Sequence, residues 1–167
     1  EPQMLDSNII IGSQAAWDAG YTGDGFAVAV VDTGVDYNHP ALAGKNIREA
    51  CFNTIFPGFV DSLCPNGQEV HVGPGAAAVC APVPSDSQLC GHGTHVAGTV
   101  GGYEVEVEPG VDFQGVAYEA AIIGLNVFSF FLPGVGVCDD GPGGTEVDGC
   151  VRSYSSDQIA SLEYLYQ

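Results

Sequence analysis

Positive charge is what this sequence has least of. Three Lys and Arg stand against 21 Asp and Glu, a formal net charge of −18. A surface so acidic repels phosphate and cannot bind nucleic acid by counterion release. It offers no basic face to anionic lipid either, so nucleic acid and membrane surface are set aside as partners. There is no run of roughly 20 apolar residues of the kind a membrane-spanning helix needs and no N-terminal signal peptide. Glu1 in place of Met reads as a processed or trimmed terminus. C-x-x-C is absent, and so is the H-E-x-x-H helix of zinc peptidases. No metal ligand set can be named from spacing.

What is present is a core-forming chain. With 167 residues it has about the length of one domain. Hydrophobic residues make up 46% and aromatics 10%, enough for a packed interior and too much for disorder. The six cysteines, at 51, 64, 80, 90, 138 and 150, lie mostly in Gly- and Pro-rich surroundings. That even count predicts disulfides and an oxidising, extracellular location. Cys138 with Cys150 closes one local loop and is the preferred pair. The other four then brace the segment before Gly91, with their pairing left open.

Along the chain, strands and helices alternate. Ser13 to Ala19 reads as a short helix with a capping serine and Gly20 at its end. Phe26 to Val31 is continuously apolar and mostly β-branched, the mark of a strand covered on both faces and central in a parallel sheet. Residues 53–90 turn to Pro, Gly, Ser and Cys with little period, a long insertion to which no regular structure is assigned. His92 to about Gly101 reads as a helix continuing toward Glu108, and Ala121 to Phe128 as a second buried strand. A last helix begins at Ser155, with Gln158 completing a capping box and Ile159, Leu162 and Leu165 along one face. This order predicts an α/β fold, a parallel β-sheet flanked by helices.

In such folds reactive groups gather beyond the carboxyl ends of the strands, and Asp32 lies at one such end. A carboxylate close to a core is costly unless it accepts hydrogen bonds, and an imidazole N–H is a natural donor. Pairing with His92 would satisfy both groups.

Two segments carry a resemblance. Val28-Ala29-Val30-Val31-Asp32-Thr33-Gly34-Val35-Asp36 and Gly91-His92-Gly93-Thr94-His95-Val96-Ala97-Gly98-Thr99 are similar to the aspartate and histidine segments of the subtilisin-like serine peptidases. Gly20-Tyr21-Thr22-Gly23, His39-Pro40 and Gly115-Val116-Ala117 followed by Ala121-Ile122-Ile123 extend the likeness over almost the whole length. The resemblance implies a subtilisin-like domain of which 1–167 is the N-terminal part, incomplete at its C-terminal side, with an insertion at about 53–90. It implies a secreted endopeptidase acting on protein or peptide. Asp32 would be the orienting acid and His92 the general base of an Asp-His-Ser triad. Thr33, Gly34, Gly91, Gly93 and Thr94 would shape the backbone around them. The family's Gly-Thr-Ser segment occurs nowhere in the 167 residues, nor is its oxyanion asparagine identified, so the chain alone is expected to be inactive. A second chain carrying the serine segment would be a partner.

The remaining candidates carry less. His95 lacks the partners of a zinc helix, His39 reads as a turn residue and His71 as solvated. Asp139, Asp140, Glu146 and Asp148 form an acidic loop that either holds calcium or is simply solvated. No cofactor is assigned, although the resemblance allows a structural calcium in the complete protein. The family's ligand after His-Pro is Ala41 here, which counts against that site. The stretch from Ser129 to Tyr154 follows the strand along which the family binds substrate, and its specificity is unreadable. One rival reading is a non-catalytic, secreted peptide-binding module on a peptidase scaffold. Another takes Asp32-Thr33-Gly34 as an aspartic-peptidase triplet, but it needs a second triplet and leaves His92 unexplained.

Overall fold

The computed structural model describes residues 3–80, 89–103, 105–109, 111–138 and 149–167. Helices α1 (Gln3–Ile11) and α2 (Ser13–Asp18) precede strand β1 (Ala27–Asp32), and β2 is Asn46–Phe52. Short strands β3 (Val60–Ser62) and β4 (Val70–Val72) lie between β2 and helix α3 (His92–Gly101). Then come β5 (Val105–Glu108), β6 (Val111–Phe113), β7 (Ala121–Asn126), β8 (Phe128–Phe131), β9 (Cys150–Ser153) and helix α4 (Ser155–Leu165).

The main sheet has the order β1-β7-β2-β4. The pairs β1/β7 and β7/β2 are parallel, and β2/β4 is antiparallel. The parallel α/β layout expected from strand and helix alternation is therefore present. The inner positions belong to β7 and β2, while β1 has a single neighbour among the described residues. Of β1, Val30 and Asp32 are buried and Ala27 is exposed. The apolar run is the strand it was read as, and among the described residues β7 is its one partner. Val28 and Val30 join Ile122, Leu42 and Ala97 in the core that α3 covers.

Helix α3 spans His92–Gly101. It stops there because Gly102 turns to extended backbone, and Val105–Glu108 does not continue the helix as expected. Val105–Glu108 pairs antiparallel with Val111–Phe113 instead. The alternation of Val and Glu in that stretch has the period of a strand.

The 53–90 insertion holds more regular structure than its composition suggests. Strand β4 pairs with β2, opposing Cys51 to His71, and β3 pairs with β8. A three-residue strand is too short to leave a periodic signal, and its register is imposed by its partner. Disulfides Cys51–Cys64, Cys80–Cys90 and Cys138–Cys150 close these loops. The predicted Cys138–Cys150 bond is formed, and the other four cysteines do brace the segment before Gly91.

Both predicted caps differ. The N-cap of α2 is Gly12 in a left-handed conformation, while Ser13 Oγ donates to Asn8 Oδ1 at 3.1 Å. The N-cap of α4 is Tyr154 with no side-chain bond, and Gln158 donates to Ser153 Oγ at 3.1 Å. In helix α4 the inward face is polar. Asp157 and Ser161 are buried, whereas Ile159 and Leu162 are 56% and 51% exposed. Its hold on β2 is aromatic and cationic. The rings of Phe52 and Tyr164 are 5.9 Å apart, and the Arg48 guanidinium sits 4.3 Å above Tyr164.

Candidate active site

Strand β1 delivers Asp32 to its carboxyl end, in register with Asn126 at the end of β7. Helix α3 delivers His92 as its first residue. The two meet. His92 Nδ1 lies 2.8 Å from Asp32 Oδ1 and 2.9 Å from Oδ2. Asp32 is buried, while the His92 side chain remains 56% exposed. A carboxylate only accepts, so Nδ1 is the donor, and in the neutral form of the half-exposed ring the lone pair is on Nε2.

The carboxylate has other donors. Thr33 N reaches Asp32 Oδ1 at 2.7 Å and Thr33 Oγ1 at 3.2 Å. The Thr33 hydroxyl in turn accepts from Gly93 N at 3.1 Å, tying the strand end to the helix start. Thr94 Oγ1 accepts from Asp36 N at 2.9 Å, a second tie between the two segments. Such donors satisfy a charge held away from water.

Close approach requires glycine at two places. A Cβ on Gly93 would overlap the Gly34 carbonyl and come within 3.1 Å of Asp32 Cβ. Gly34 has φ of 102°, and a Cβ there would meet the Ala78 carbonyl at 2.7 Å. Thr33, Gly34, Gly93 and Thr94 therefore shape the backbone around the pair, as expected. Gly91 is the α3 N-cap, with open space where its Cβ would be.

The other histidines lie apart from the pair. His39 and His95 line a cavity of about 300 Å³ together with Thr94 and Thr99. The His39 ring accepts from Ala41 N through Nδ1 at 3.2 Å, closing the Pro40–Leu42 turn in the predicted role. Ala41 is buried. His71, expected to be solvated, is half-buried in β4 with Nδ1 enclosed and unpartnered. Among the described residues no cluster of three His, Cys, Asp or Glu side chains is placed to hold a metal ion. Asp139, Asp140, Glu146 and Asp148 lie outside the described residues.

Sequence reasoning passed over Asn126. It is fully buried beside Asp32, its Oδ1 accepts from Phe128 N at 3.1 Å, and its side-chain nitrogen has no partner. The position at the carboxyl end of a buried parallel strand was the available signal. Tyr37 was also missed. Its hydroxyl is enclosed over Gly124, and burial followed by the nearby Glu49 charge pushes its pKa upward.

Comparison with known proteins agrees with this geometry. The model of the peptidase S8, or subtilase, family matches residues 23–146. The minor extracellular protease Vpr of Bacillus subtilis is 33% identical over 126 residues, covering 75% of this chain and 13% of that protein. Bacillopeptidase F of the same organism is 36% identical over 119 residues, covering 71% of this chain and 7% of that protein. The chain thus spans a small part of the relatives it matches. The Clostridium perfringens CspB protease structure superposes with a TM-score of 0.54 at 22% identity, covering 96% of this chain and 30% of that one. That likeness concerns the fold.

Proposed function

The chain belongs to the subtilase family, and on that premise we propose that it supplies the acid and the base of an Asp-His-Ser endopeptidase centre. The observation that carries the reading is the contact of Asp32 with His92 Nδ1 at 2.8 Å. It leaves Nε2 free to take a proton. Asp32 fixes the ring's tautomer and stabilises the imidazolium that forms. His92 removes the proton of a serine hydroxyl as that oxygen attacks a peptide carbonyl, then returns it to the leaving amine. The substrate class is protein or peptide.

The serine belongs to a segment other than these 167 residues, in the same longer chain or in a second one. In this reading the chain is the N-terminal part of the catalytic domain, carrying an insertion at about 53–90. Without the serine and its oxyanion donors the chain should not turn over peptide bonds. Peptidases stripped of a triad member keep roughly 10³ to 10⁴ over water, mostly from the oxyanion hole and substrate binding. The three disulfides and the extracellular Vpr relative support a secreted setting.

The test incubates the purified chain with casein and a fluorophosphonate probe. We expect neither cleavage nor stoichiometric serine labelling, with both appearing once a serine-bearing segment of the family is added. Labelling of the chain alone would refute the reading.

A further inference from the structure

We propose that the Cys80–Cys90 disulfide is a positioning device for His92, the last link of a strap that sets both members of the acid–imidazole pair. The proposal rests on the reading of Asp32 and His92 given above.

The strap starts on β2. Glu49, buried there, accepts from Ala77 N at 3.1 Å, and the Ala77 carbonyl accepts from Val35 N at 2.8 Å. The Ala77 and Ala78 carbonyls fill the space that a Cβ on Gly34 would need. Residues 76–78 are therefore packed under the loop that leaves Asp32. Just beyond, Cys80 is bonded to Cys90, which stands two positions before His92, and both sulfurs belong to buried residues.

A second observation shows why a tie is needed at this point. Helix α3 begins at Gly91 without a side-chain cap. A missing N-cap side chain removes one local bond that would mark where the helix starts. Its registration comes from the Gly93 N–H on Thr33 Oγ1, the Asp36 N–H on Thr94 Oγ1 and the covalent link at Cys90. Stretching from β2 through the Asp32 loop to the start of α3, the strap fixes the imidazole against the carboxylate. A displacement well under 1 Å would separate Nδ1 from its acceptors.

The Cys138–Cys150 bond provides an internal control. It joins residues packed with Val60 and Phe131, in the cluster between β3, β8 and β9. Its sequence separation of 12 is close to the 10 of Cys80–Cys90. Loop-closure entropy depends weakly on length, so losing either bond should destabilise the chain about equally.

The test is proton NMR of the chain, following the low-field resonance of the His92 Nδ1 proton. It should survive in the Cys138→Ala, Cys150→Ala variant and vanish by exchange broadening in the Cys80→Ala, Cys90→Ala variant, at matched distance below each Tm. Persistence in the second variant, or equal loss in both, would overturn the proposal. A parallel measurement needs no variant to fold. Dithiothreitol is titrated into the native chain, each opened cystine is located by alkylation and mass spectrometry, and loss of the resonance should follow opening of Cys80–Cys90. If it follows another bond, the strap is refuted. Asp32→Ala separates the two levels of the argument. A resonance unmoved by that change would mean that His92 does not pair with Asp32, so that the proposed function fails along with the strap.

Discussion

Helices α3 and α4 have nearly the same length, 10 and 11 residues, and are held by opposite means. Helix α3 buries Gly93, Ala97 and Gly101, so it approaches the strand ends closely because side chains are missing. Helix α4 buries Asp157 and Ser161 and leaves Ile159 and Leu162 outward. Thr54 Oγ1 donates to Asp157 Oδ1 at 2.9 Å, and Ser161 Oγ returns a bond to Gln158 O at 2.7 Å. The lesson is that an amphipathic pattern predicts a helix but not which side it buries. Where the backbone must come close, as at α3, glycine settles the contact. Where a helix is hooked by polar groups, its neighbours settle it.

The largest effect expected from breaking this contrast is at Gly93. Gly93→Ala would force the Gly34 carbonyl and Asp32 Cβ apart, costing on the order of 3 kcal/mol, the upper range for overpacking. Urea unfolding measures it. A loss below about 0.5 kcal/mol would show that the close approach is not what holds α3 in place.

On α4 the effect is smaller and has the opposite sign. Burial, aided by the Glu69 charge, raises the pKa of Asp157 above the ordinary carboxylate value of 3.8 despite its Thr54 bonds. Between 3.8 and the raised folded value the folded chain keeps a proton that the unfolded chain has released, so stability falls as pH rises through that window. Asp157 Oδ2 has no partner, and asparagine mimics the protonated acid there. Asp157→Asn should therefore raise Tm at pH 7, with the gain fading toward pH 3.5. A Tm lowered equally at both pH values would contradict this.

The smallest change is at the outward face. Ile159→Gln and Leu162→Gln should each alter the stability of the chain by no more than about 0.5 kcal/mol, as for other surface positions. A loss above about 1.5 kcal/mol in urea unfolding would place those side chains in the core.

The legible parts of the fold were those encoded locally. The start of α3 could be read because Gly91-His92-Gly93-Thr94 marks it, whereas its end at Gly101 was overrun by the expected continuation toward Glu108. The strand ending in Asp32 could be read from an uninterrupted apolar run. The Asp32–His92 contact was implied by the resemblance of the two segments to the subtilisin-like peptidases, and a strand-end carboxylate's need for a donor gives its physical reason. What could not be read depended on partners distant in sequence. The order β1-β7-β2-β4 is set by pairing between strands far apart in sequence. The three-residue strands β3 and β4 exist because β8 and β2 pair with them. The caps of α2 and α4 moved by one residue because Ser13 and Gln158 found other partners, Asn8 and Ser153. Asn126 carries no sequence mark beyond its place at a strand end.

The central claim is that Asp32 and His92 act as one unit. It is tested most directly by peptide hydrolysis in an active peptidase containing this chain, comparing Asp32→Ala, His92→Ala and the double variant. Groups that work together lose nearly as much singly as jointly. The account predicts a fall in kcat of roughly 10⁴-fold or more for each single variant, with the double variant no worse than the weaker of the two. Losses that multiply in the double variant, or a His92→Ala enzyme that keeps its rate, would contradict it.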